Sequence, residues 1–340
     1  MIRKLLLAAL LLALIGRAGP AGAQGGSGWQ QVPGMPTFVD VFGVEQPVEM
    51  DVLGMVDAYN GWGISSRRDF NAIYRLAYRD GRWTAAADGG TPGGSVVIEA
   101  VSADEAWLLG GSGFYHRTAA GWKLEQRRNP DEALSIYDIE LSVNGAAGWA
   151  VGEDLNRRGE AVLLALRDGR WQRDASVSGA GVVVSVSIDE GSGTGWAAGD
   201  SLWRYEGGTW KRAAQPDLCG PTACAIRLGT IQAPSEREAW ALACADQCAD
   251  GQFVLHYRDG AWSEAAIERP AGGTLSLSGL AVNRYGAGLL TGGVRVDGWW
   301  TRSVMYRLAG GQWVAEPLPT TAKGEPVDIL LDLSVLDTGH

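Results

Sequence analysis

The chain has few of the residues that most often act in catalysis and metal binding. It contains three histidines in 340 residues, and one of them, His340, is the last residue. His116 lies six residues before Trp122 and His256 six residues before Trp262, and arginine takes the same place before two other tryptophans. Both histidines are therefore predicted to be structural. A serine–histidine–aspartate triad or a histidine-based metal site lacks suitable residues, and no metal or cofactor is predicted.

Basic side chains are also outnumbered. The chain has 29 Lys and Arg residues against 39 Asp and Glu residues, a formal net charge of −10. Such a surface repels the phosphates of nucleic acids and the headgroups of anionic membranes. Nucleic acid is therefore not expected as a partner.

Long apolar runs are absent after the first residues. Met1–Lys4 is basic, Leu5–Ile15 is apolar, and the small residues that follow end at Ala21-Gly22-Ala23. This order is typical of a secretory signal peptide. The sequence thus predicts a signal peptide over 1–23 and a domain over 24–340. The mature protein is expected to lie outside the cytoplasm, secreted or in the periplasm or at the cell surface, as a monomer without a transmembrane anchor.

The four cysteines are clustered, at Cys219, Cys224, Cys244 and Cys248. In an exported protein, an even number of close cysteines favours two disulfides. A zinc site with four thiolates is the alternative, although the spacings differ from the usual pairs separated by two residues. Pairing within each couple and pairing between the couples are both compatible with the sequence.

Tryptophan, by contrast, is abundant, with 15 residues, and 12 of them fall in two recurring phrases. In the first phrase the tryptophan follows a polar or glycine turn, and in the second it stands within a segment like Gly148-Trp149-Ala150-Val151-Gly152. The first set comprises Trp29, Trp83, Trp122, Trp171, Trp210, Trp262 and Trp313. The second set comprises Trp62, Trp107, Trp149, Trp196 and Trp240. A period of roughly 40–50 residues indicates a repeat architecture, in which these rings are predicted to fill the space between repeats.

Each repeat contains four short β-rich segments separated by turn residues such as Asp168-Gly169. Because nothing in the sequence has a helical period, each sheet must cover its faces with its neighbours, which favours a β-propeller over a β-sandwich. The six complete units are predicted at 48–87, 95–126, 136–172, 180–214, 224–266 and 275–316.

The two ends of the chain are predicted to share a seventh blade. The segment around Trp29 matches an outermost strand, and Val327–Val335 matches an innermost strand. Joining them would close the ring and remove open sheet edges. The sequence ends where the next phrase with glycine and tryptophan is due, so we expect either a longer natural protein or an incomplete seventh blade.

The phrase at Gly148–Gly152 and the segment Tyr257-Arg258-Asp259-Gly260-Ala261-Trp262 resemble exported bacterial propellers with BNR or Asp-box repeats, including the photosystem II stability and assembly factor type. Gly207-Gly208-Thr209-Trp210 comes nearest to that group's turn. Most units lack the full Asp box. The resemblance implies a propeller that acts in binding or assembly.

The resemblance also raises an enzymatic alternative, because sialidases share the Asp-box propeller. A sialidase needs three arginines around a carboxylate, and a tyrosine nucleophile with a glutamate partner. None of the tyrosines or arginines stands in a recognisable catalytic phrase. The sequence therefore favours a non-enzymatic module that binds a protein, with a carbohydrate-binding protein or sialidase-like glycosidase as the alternative.

One face of the predicted propeller carries the candidate binding residues. Trp299 and Trp300 lie outside both phrases, and we expect them in a loop between the second and third strands, at Gly292–Ser303. The corresponding loops of other units also contain paired arginines or cysteines. Together the candidates for ligand binding are Arg67, Arg68, Phe70, Arg157, Arg158, Trp299 and Trp300. Arginines beside aromatic rings suit a protein surface, a carboxylate or a sugar. The alternatives are that Trp299 and Trp300 fold back over their own blade and that the arginines are ordinary solvated charges.

First strands also carry acids, which would line the central channel. A ring of carboxylates there is a candidate cation site, although the alternation of side chains sends only some of them to one side. These acids are Glu49, Asp51, Glu99, Asp138, Glu140, Asp328 and Asp332.

Overall fold

The structure is a computed structural model, and its described part is all-β. It forms 26 strands, β1–β26, and one short 3-10 helix at Leu155–Arg157. The residues described are 37–39, 45–47, 52–57, 59–66, 73–79, 82–86, 97–110, 113–127, 133–142, 144–157, 159–174, 176–177, 181–189, 191–216, 226–245 and 252–319.

Twenty-four of these strands form six antiparallel four-stranded sheets, and each sheet is one blade whose strands follow chain order. The first blade comprises β3 Val52–Met55, β4 Asn60–Ser66, β5 Ile73–Arg79 and β6 Arg82–Ala86. The second comprises β7 Val97–Ser102, β8 Glu105–Gly110, β9 Gly113–Thr118 and β10 Gly121–Arg127. The third comprises β11 Leu134–Leu141, β12 Gly148–Asp154, β13 Glu160–Arg167 and β14 Arg170–Arg173.

The remaining blades have the same plan. The fourth comprises β15 Val183–Asp189, β16 Thr194–Gly199, β17 Leu202–Glu206 and β18 Thr209–Arg212. The fifth comprises β19 Ile226–Ser235, β20 Glu238–Ala245, β21 Gln252–Arg258 and β22 Ala261–Glu264. The sixth comprises β23 Thr274–Val282, β24 Gly288–Val296, β25 Trp299–Ala309 and β26 Gln312–Glu316. A separate two-stranded sheet pairs β1 Thr37–Val39 with β2 Glu45–Pro47.

The six blades follow one another around a ring, and from the first blade to the sixth each first strand contacts the first strand of the next blade. The fold is therefore a β-propeller, and the six units predicted from the sequence are confirmed. The predicted seventh blade rests on Trp29 and Val327–Val335, which lie outside the described residues, as does the predicted signal peptide.

Tight turns join the third and fourth strands, as the Asp-Gly sequences predict. Asp168 and Gly169 have φ angles of 52° and 72°, and Asp259 and Gly260 have φ angles of 48° and 98°. Two consecutive residues with positive φ match the twist of a two-residue hairpin, and aspartate and glycine tolerate this conformation best.

Irregularities in the first strands tie each blade to the next. Ladder pairing shifts in β11, β15 and β19, which leaves backbone groups without a partner in their own sheet. The amide of Val186 donates to Asp138 Oδ2 at 3.0 Å, and so does Ser185 Oγ at 2.8 Å. The amide of Ile231 donates in turn to Ser185 Oγ at 3.2 Å. Asp138, one of the predicted channel acids, therefore holds the third and fourth blades together.

Tryptophans from the two sequence phrases meet at every described junction between consecutive blades. The tryptophan of an outermost strand stands edge-on against the second-strand tryptophan of the preceding blade, with centroids 5.3–5.8 Å apart and ring planes at 72–90°. This geometry suits the quadrupoles of the rings. The predicted role of the tryptophans between repeats is thus confirmed. The pairs are Trp62–Trp122, Trp107–Trp171, Trp149–Trp210, Trp196–Trp262 and Trp240–Trp313.

The two internal histidines complete this packing. His116 stacks on Trp107 with centroids 4.4 Å apart, and its Nε2 lies 3.0 Å from a carboxylate oxygen of Glu105. His256 stacks on Trp240 at 3.8 Å, with Nε2 2.9 Å from Glu238. Arginine performs the same packing elsewhere, since Arg204 lies 4.8 Å from the Trp196 ring centroid. The prediction that these histidines are structural is therefore confirmed.

The outward sides of the first and sixth blades each carry a buried side chain. In the repeating arrangement, Trp83 faces away from the second blade, and the alternation of β25 turns Met305 away from the fifth blade. Both side chains are nevertheless buried.

Candidate functional site

The turns between second and third strands all lie at one end of the blades, which we call the long-loop face. The connections between blades emerge at this same end. The turns between first and second strands and between third and fourth strands lie at the opposite end. This placement follows from the up-and-down order of each sheet and agrees with the sequence-based assignment.

Arg157 lies on the long-loop face, at the end of the 3-10 helix of the third blade. Its guanidinium is 3.4 Å from the carboxylate of Glu160 and largely exposed, so the pair contributes little to stability. The neighbouring Asp154 is buried and accepts a 2.9 Å hydrogen bond from Arg173 Nη2. This bond, against the opposing effect of burial, lowers the pKa of Asp154 below its ordinary value. The carboxylate therefore anchors the loop that carries Arg157.

Trp299 and Trp300 lie on the same face, but they are not in a long loop. The predicted loop at Gly292–Ser303 is instead the end of a hairpin, in which β24 continues to Val296 and β25 begins at Trp299. Asp297 and Gly298, with φ angles of 51° and 80°, form a two-residue turn between them. The prediction of a loop was wrong because the backbone pairing of β24 with β25 continues through Gly292 and Gly293 to Val296.

Trp300 packs on its own blade. A Cβ atom placed on Gly293 would lie 2.0 Å from Trp300 Cζ3, so the ring rests directly on the glycine. The guanidinium carbon of Arg295, the cross-strand partner of Trp300, is 4.8 Å from the centroid of the same ring. Trp300 thus folds back over the hairpin, one of the two predicted alternatives.

Trp299 has different surroundings, because its side chain is 79% exposed. Its cross-strand partner is Val296, which is also exposed. Among the described residues, no other large hydrophobic side chain is exposed to this extent. Packing within the sixth blade therefore does not explain why a tryptophan stands at this position.

Exposed apolar side chains are concentrated on the long-loop face. Eight large hydrophobic residues of the described chain are exposed, and five of them lie at or near this face. Tyr59 and Tyr285 lie in turns at the opposite face, and Val314 lies on an outermost strand. The five fall into two separate groups, two residues on the third blade and three at the end of the β24–β25 hairpin, and grouped apolar side chains mark an interaction surface more often than single scattered ones do. The five are Tyr137, Leu155, Val296, Trp299 and Trp300.

The fourth and fifth blades are tied together at this face by an ion pair. Asp200 accepts a 2.9 Å hydrogen bond from Arg227 Nε and a 3.1 Å hydrogen bond from the amide of Val182. Cys244, the cross-strand partner of Arg227, is buried near the end of β20 and does not carry a free thiol. The short turn between β16 and β17, which contains Asp200, therefore serves to join the fourth and fifth blades.

Several predicted site residues lie outside the described part of the chain. For these the sequence-based assignment stays a prediction, as does the pairing of the cysteines. They are Arg67, Arg68, Phe70, Arg158, Cys219, Cys224 and Cys248.

Sequence reasoning missed Arg295, Val296 and Arg302, which surround the two tryptophans at the hairpin tip. The alternating segment Val294-Arg295-Val296 before Asp297-Gly298 is a strand followed by a hairpin turn, and this signal could have placed them.

The described residues contain no group of three or more histidine, cysteine, aspartate and glutamate side chains arranged to hold a metal ion. Of the predicted channel acids, Asp138 is engaged between blades, Glu99 and Glu140 have interactions of their own, and the others lie outside the described residues. In the described part of the chain no helix is long and apolar enough to cross a membrane.

Three solved structures have the same architecture over most of this chain. YCF48 bound to a D1 peptide has 14% sequence identity and a TM-score of 0.52, and the match covers 84% of this chain and 82% of that one. An oligogalacturonate lyase from Vibrio parahaemolyticus has 8% identity and a TM-score of 0.53, with coverages of 85% and 87%. A puromycin-hydrolyzing peptidase from Mycobacterium tuberculosis has 12% identity and a TM-score of 0.53, with coverages of 84% and 47%.

These similarities show the fold. At such identities they do not transfer an activity or a partner to this chain. No protein-family model and no curated protein matches the sequence.

Proposed function

We propose that this protein is an exported, non-enzymatic binding module that receives a partner protein on its long-loop face. The basic, apolar and small-residue segments of residues 1–23 support export to the periplasm, the cell surface or the medium. We also propose that the chain belongs to the Asp-box and assembly-factor-like propellers, on the basis of its two recurring tryptophan phrases.

The observation that carries the proposal is the uneven distribution of exposed apolar side chains. Five of the eight in the described chain lie at or near the long-loop face, which also carries the exposed guanidinium of Arg157. Aromatic rings and arginines are the side chains that contribute most at protein interfaces. YCF48, which shares the fold, is a propeller bound to a peptide, and this supports a protein partner here.

Disulfides among the four cysteines would strengthen this surface. Cys244 ends a second strand at the long-loop face and has no free thiol. If its partner is one of the other three, the bond constrains loops at that face and reduces the entropy lost on binding.

Site-specific photo-crosslinking in the cells that produce the protein tests which face binds. p-Benzoylphenylalanine replaces Leu155, which is 47% exposed on the long-loop face, and in a matched variant it replaces Tyr285, which is 57% exposed on the opposite face. We expect a discrete protein adduct from position 155 and none from position 285.

The opposite pattern, or no adduct from either position, would contradict the proposal. Saturable binding of the purified protein to acidic glycans, reduced by substitutions on the long-loop face, would instead support the carbohydrate-binding alternative. Turnover of such a glycan would favour a glycosidase.

A further inference from the structure

The tip of the β24–β25 hairpin projects from the long-loop face. Eight consecutive residues, from Arg295 to Arg302, are exposed. In the fourth blade, the equivalent turn is short, and its Ser201 is buried. A run of exposed residues that includes two tryptophans and a valine is costly in water, because the fold leaves much of this apolar surface in contact with solvent.

The hairpin tip has two chemically different sides. Cross-strand pairing places Arg295 with Trp300 on one side and Val296 with Trp299 on the other. Trp300 is braced by Gly293 beneath its ring and by the guanidinium of Arg295. Trp299 and Val296 together form a small apolar surface that remains open to solvent, with exposures of 79% and 39%.

The backbone of the tip is held in place before any partner arrives. Thr301 Oγ1 donates a 3.0 Å hydrogen bond to the carbonyl oxygen of Val294, where the pairing shifts by one residue. The turn residues Asp297 and Gly298 have the positive φ angles of a tight hairpin. A preorganised backbone loses little conformational entropy on binding, which favours the hairpin as the support of an anchoring side chain.

The charge around the tip indicates the chemistry of the partner. Arg295 and Arg302 flank the tryptophans, and in the described chain neither guanidinium has a carboxylate partner. Asp297 is the tip's one acid. The tip is therefore locally positive on a chain with a net charge of −10. An acidic rim on a partner complements it, whereas an anionic membrane surface is repelled by the rest of the molecule.

We propose that Trp299 is an anchor that inserts into an apolar cleft of a partner protein, with Arg295 and Arg302 contacting carboxylates at the rim of that cleft. The proposal deepens the proposed function and rests on it. In this interface the hairpin is the part that protrudes into the partner. Trp300 is a positioning residue that keeps Arg295 and the tip in place. Truncation of an exposed anchor of this kind weakens a protein complex about ten-fold or more.

The test uses the full chain in its producing cells, with p-benzoylphenylalanine as the probe. The crosslinker at position 299 keeps an aromatic ring at the tip, and we expect it to yield an adduct with the same protein that is captured from position 155. Adding Trp299→Ala should reduce the adduct from position 155 about ten-fold. Val314→Ala, at an exposed residue on an outermost strand, should leave it unchanged. Arg295→Glu combined with Arg302→Glu should reduce it and remove its sensitivity to salt.

Each outcome decides the matter. If the adduct from position 155 persists undiminished with Trp299→Ala, the anchor is wrong while the proposed function stands. If neither position yields an adduct, the proposed function itself fails. Mass spectrometry of the adduct from position 299 should locate it in an apolar segment near Asp or Glu side chains, and a basic segment would overturn the charge argument. Sedimentation with phosphatidylserine vesicles that depends on Trp299, without a protein adduct, would overturn the protein partner in favour of a membrane.

Discussion

The contact between Trp240 and Trp313 offers the most direct test of how the blades are held together. Both rings are almost completely buried, at 0% and 2% exposure, and their centroids are 5.5 Å apart with planes at 85°. Replacing a buried tryptophan by alanine costs about 3–5 kcal/mol. Leucine fills more of the vacated space than alanine does, and the sixth blade has a leucine, Leu289, at the position equivalent to Trp240. We therefore expect Trp240→Leu and Trp313→Leu each to lower the free energy of unfolding by about 2–3 kcal/mol.

The double variant separates the pair interaction from simple burial. Edge-to-face aromatic pairs contribute about 0.5–1.5 kcal/mol beyond their buried area. The double variant should therefore be less destabilised than the sum of the single variants by about 1 kcal/mol. Trp171→Leu is the matched control, because Trp171 is also buried but belongs to a different junction. Combined with Trp240→Leu, it should be additive within about 0.5 kcal/mol.

Urea unfolding followed by far-ultraviolet circular dichroism gives these free energies without relying on the fluorescence of the replaced rings. A coupling for Trp240 with Trp313 no larger than the control coupling would refute the conclusion that edge-to-face pairs stabilise the junctions. A change in the slope of unfolding free energy against urea would show that the variants alter the denatured or native state or no longer unfold in one cooperative step.

Three further predictions concern single side chains. Asp154→Asn should destabilise the protein by about 1–2 kcal/mol near neutral pH, because it weakens the bond from the partly exposed Arg173. The pKa of Asp154 is lowered in the folded state, so its contribution to the free energy of unfolding is present above the unfolded-state pKa and is lost as the pH falls through the folded-state pKa. Urea unfolding at several pH values should therefore show the variant and the unsubstituted protein converging in stability only in acid. A difference that stays constant with pH would contradict this. Gly293→Ala should displace the ring of Trp300 and cost about 1–3 kcal/mol, and an unchanged melting temperature would show that the ring moves freely. Asp138→Ala should leave a buried amide without an acceptor and cost about 2–3 kcal/mol in urea unfolding, whereas a neutral effect would mean that water replaces the carboxylate.

The repeats could be predicted because their signals are local. Alternating β-rich segments, turns such as Asp168-Gly169 and evenly spaced tryptophans specify strands, hairpins and blade number within each 40-residue window. The inter-blade contacts of Asp138 could not be predicted in this way. Its partner Ser185 is 47 residues away in sequence, and the contact exists only because the pairing shift leaves an amide free.

Part of the candidate site could be predicted by eliminating the tryptophans that the repeat explains. Once the repeat accounts for the other tryptophans, Trp299 and Trp300 are left, and both do lie on the long-loop face. Their different environments could not be predicted. Gly293 is needed because a neighbouring ring lies on it, not because the backbone is irregular, and only the three-dimensional contact distinguishes these cases.

The contrast between Trp240 and Trp299 supports a binding role for the hairpin tip. Folding removes the first ring from water completely, whereas the second remains 79% exposed. A tryptophan that presents about 200 Å² leaves about 160 Å² in water at this exposure, which corresponds to about 4 kcal/mol of apolar transfer free energy. Folding does not recover that free energy, so replacing Trp299 by a polar residue should leave the propeller's stability nearly unchanged. A partner that covers the ring recovers it at the moment of binding. A residue whose apolar surface is satisfied only in a complex is therefore better explained by recognition than by stability.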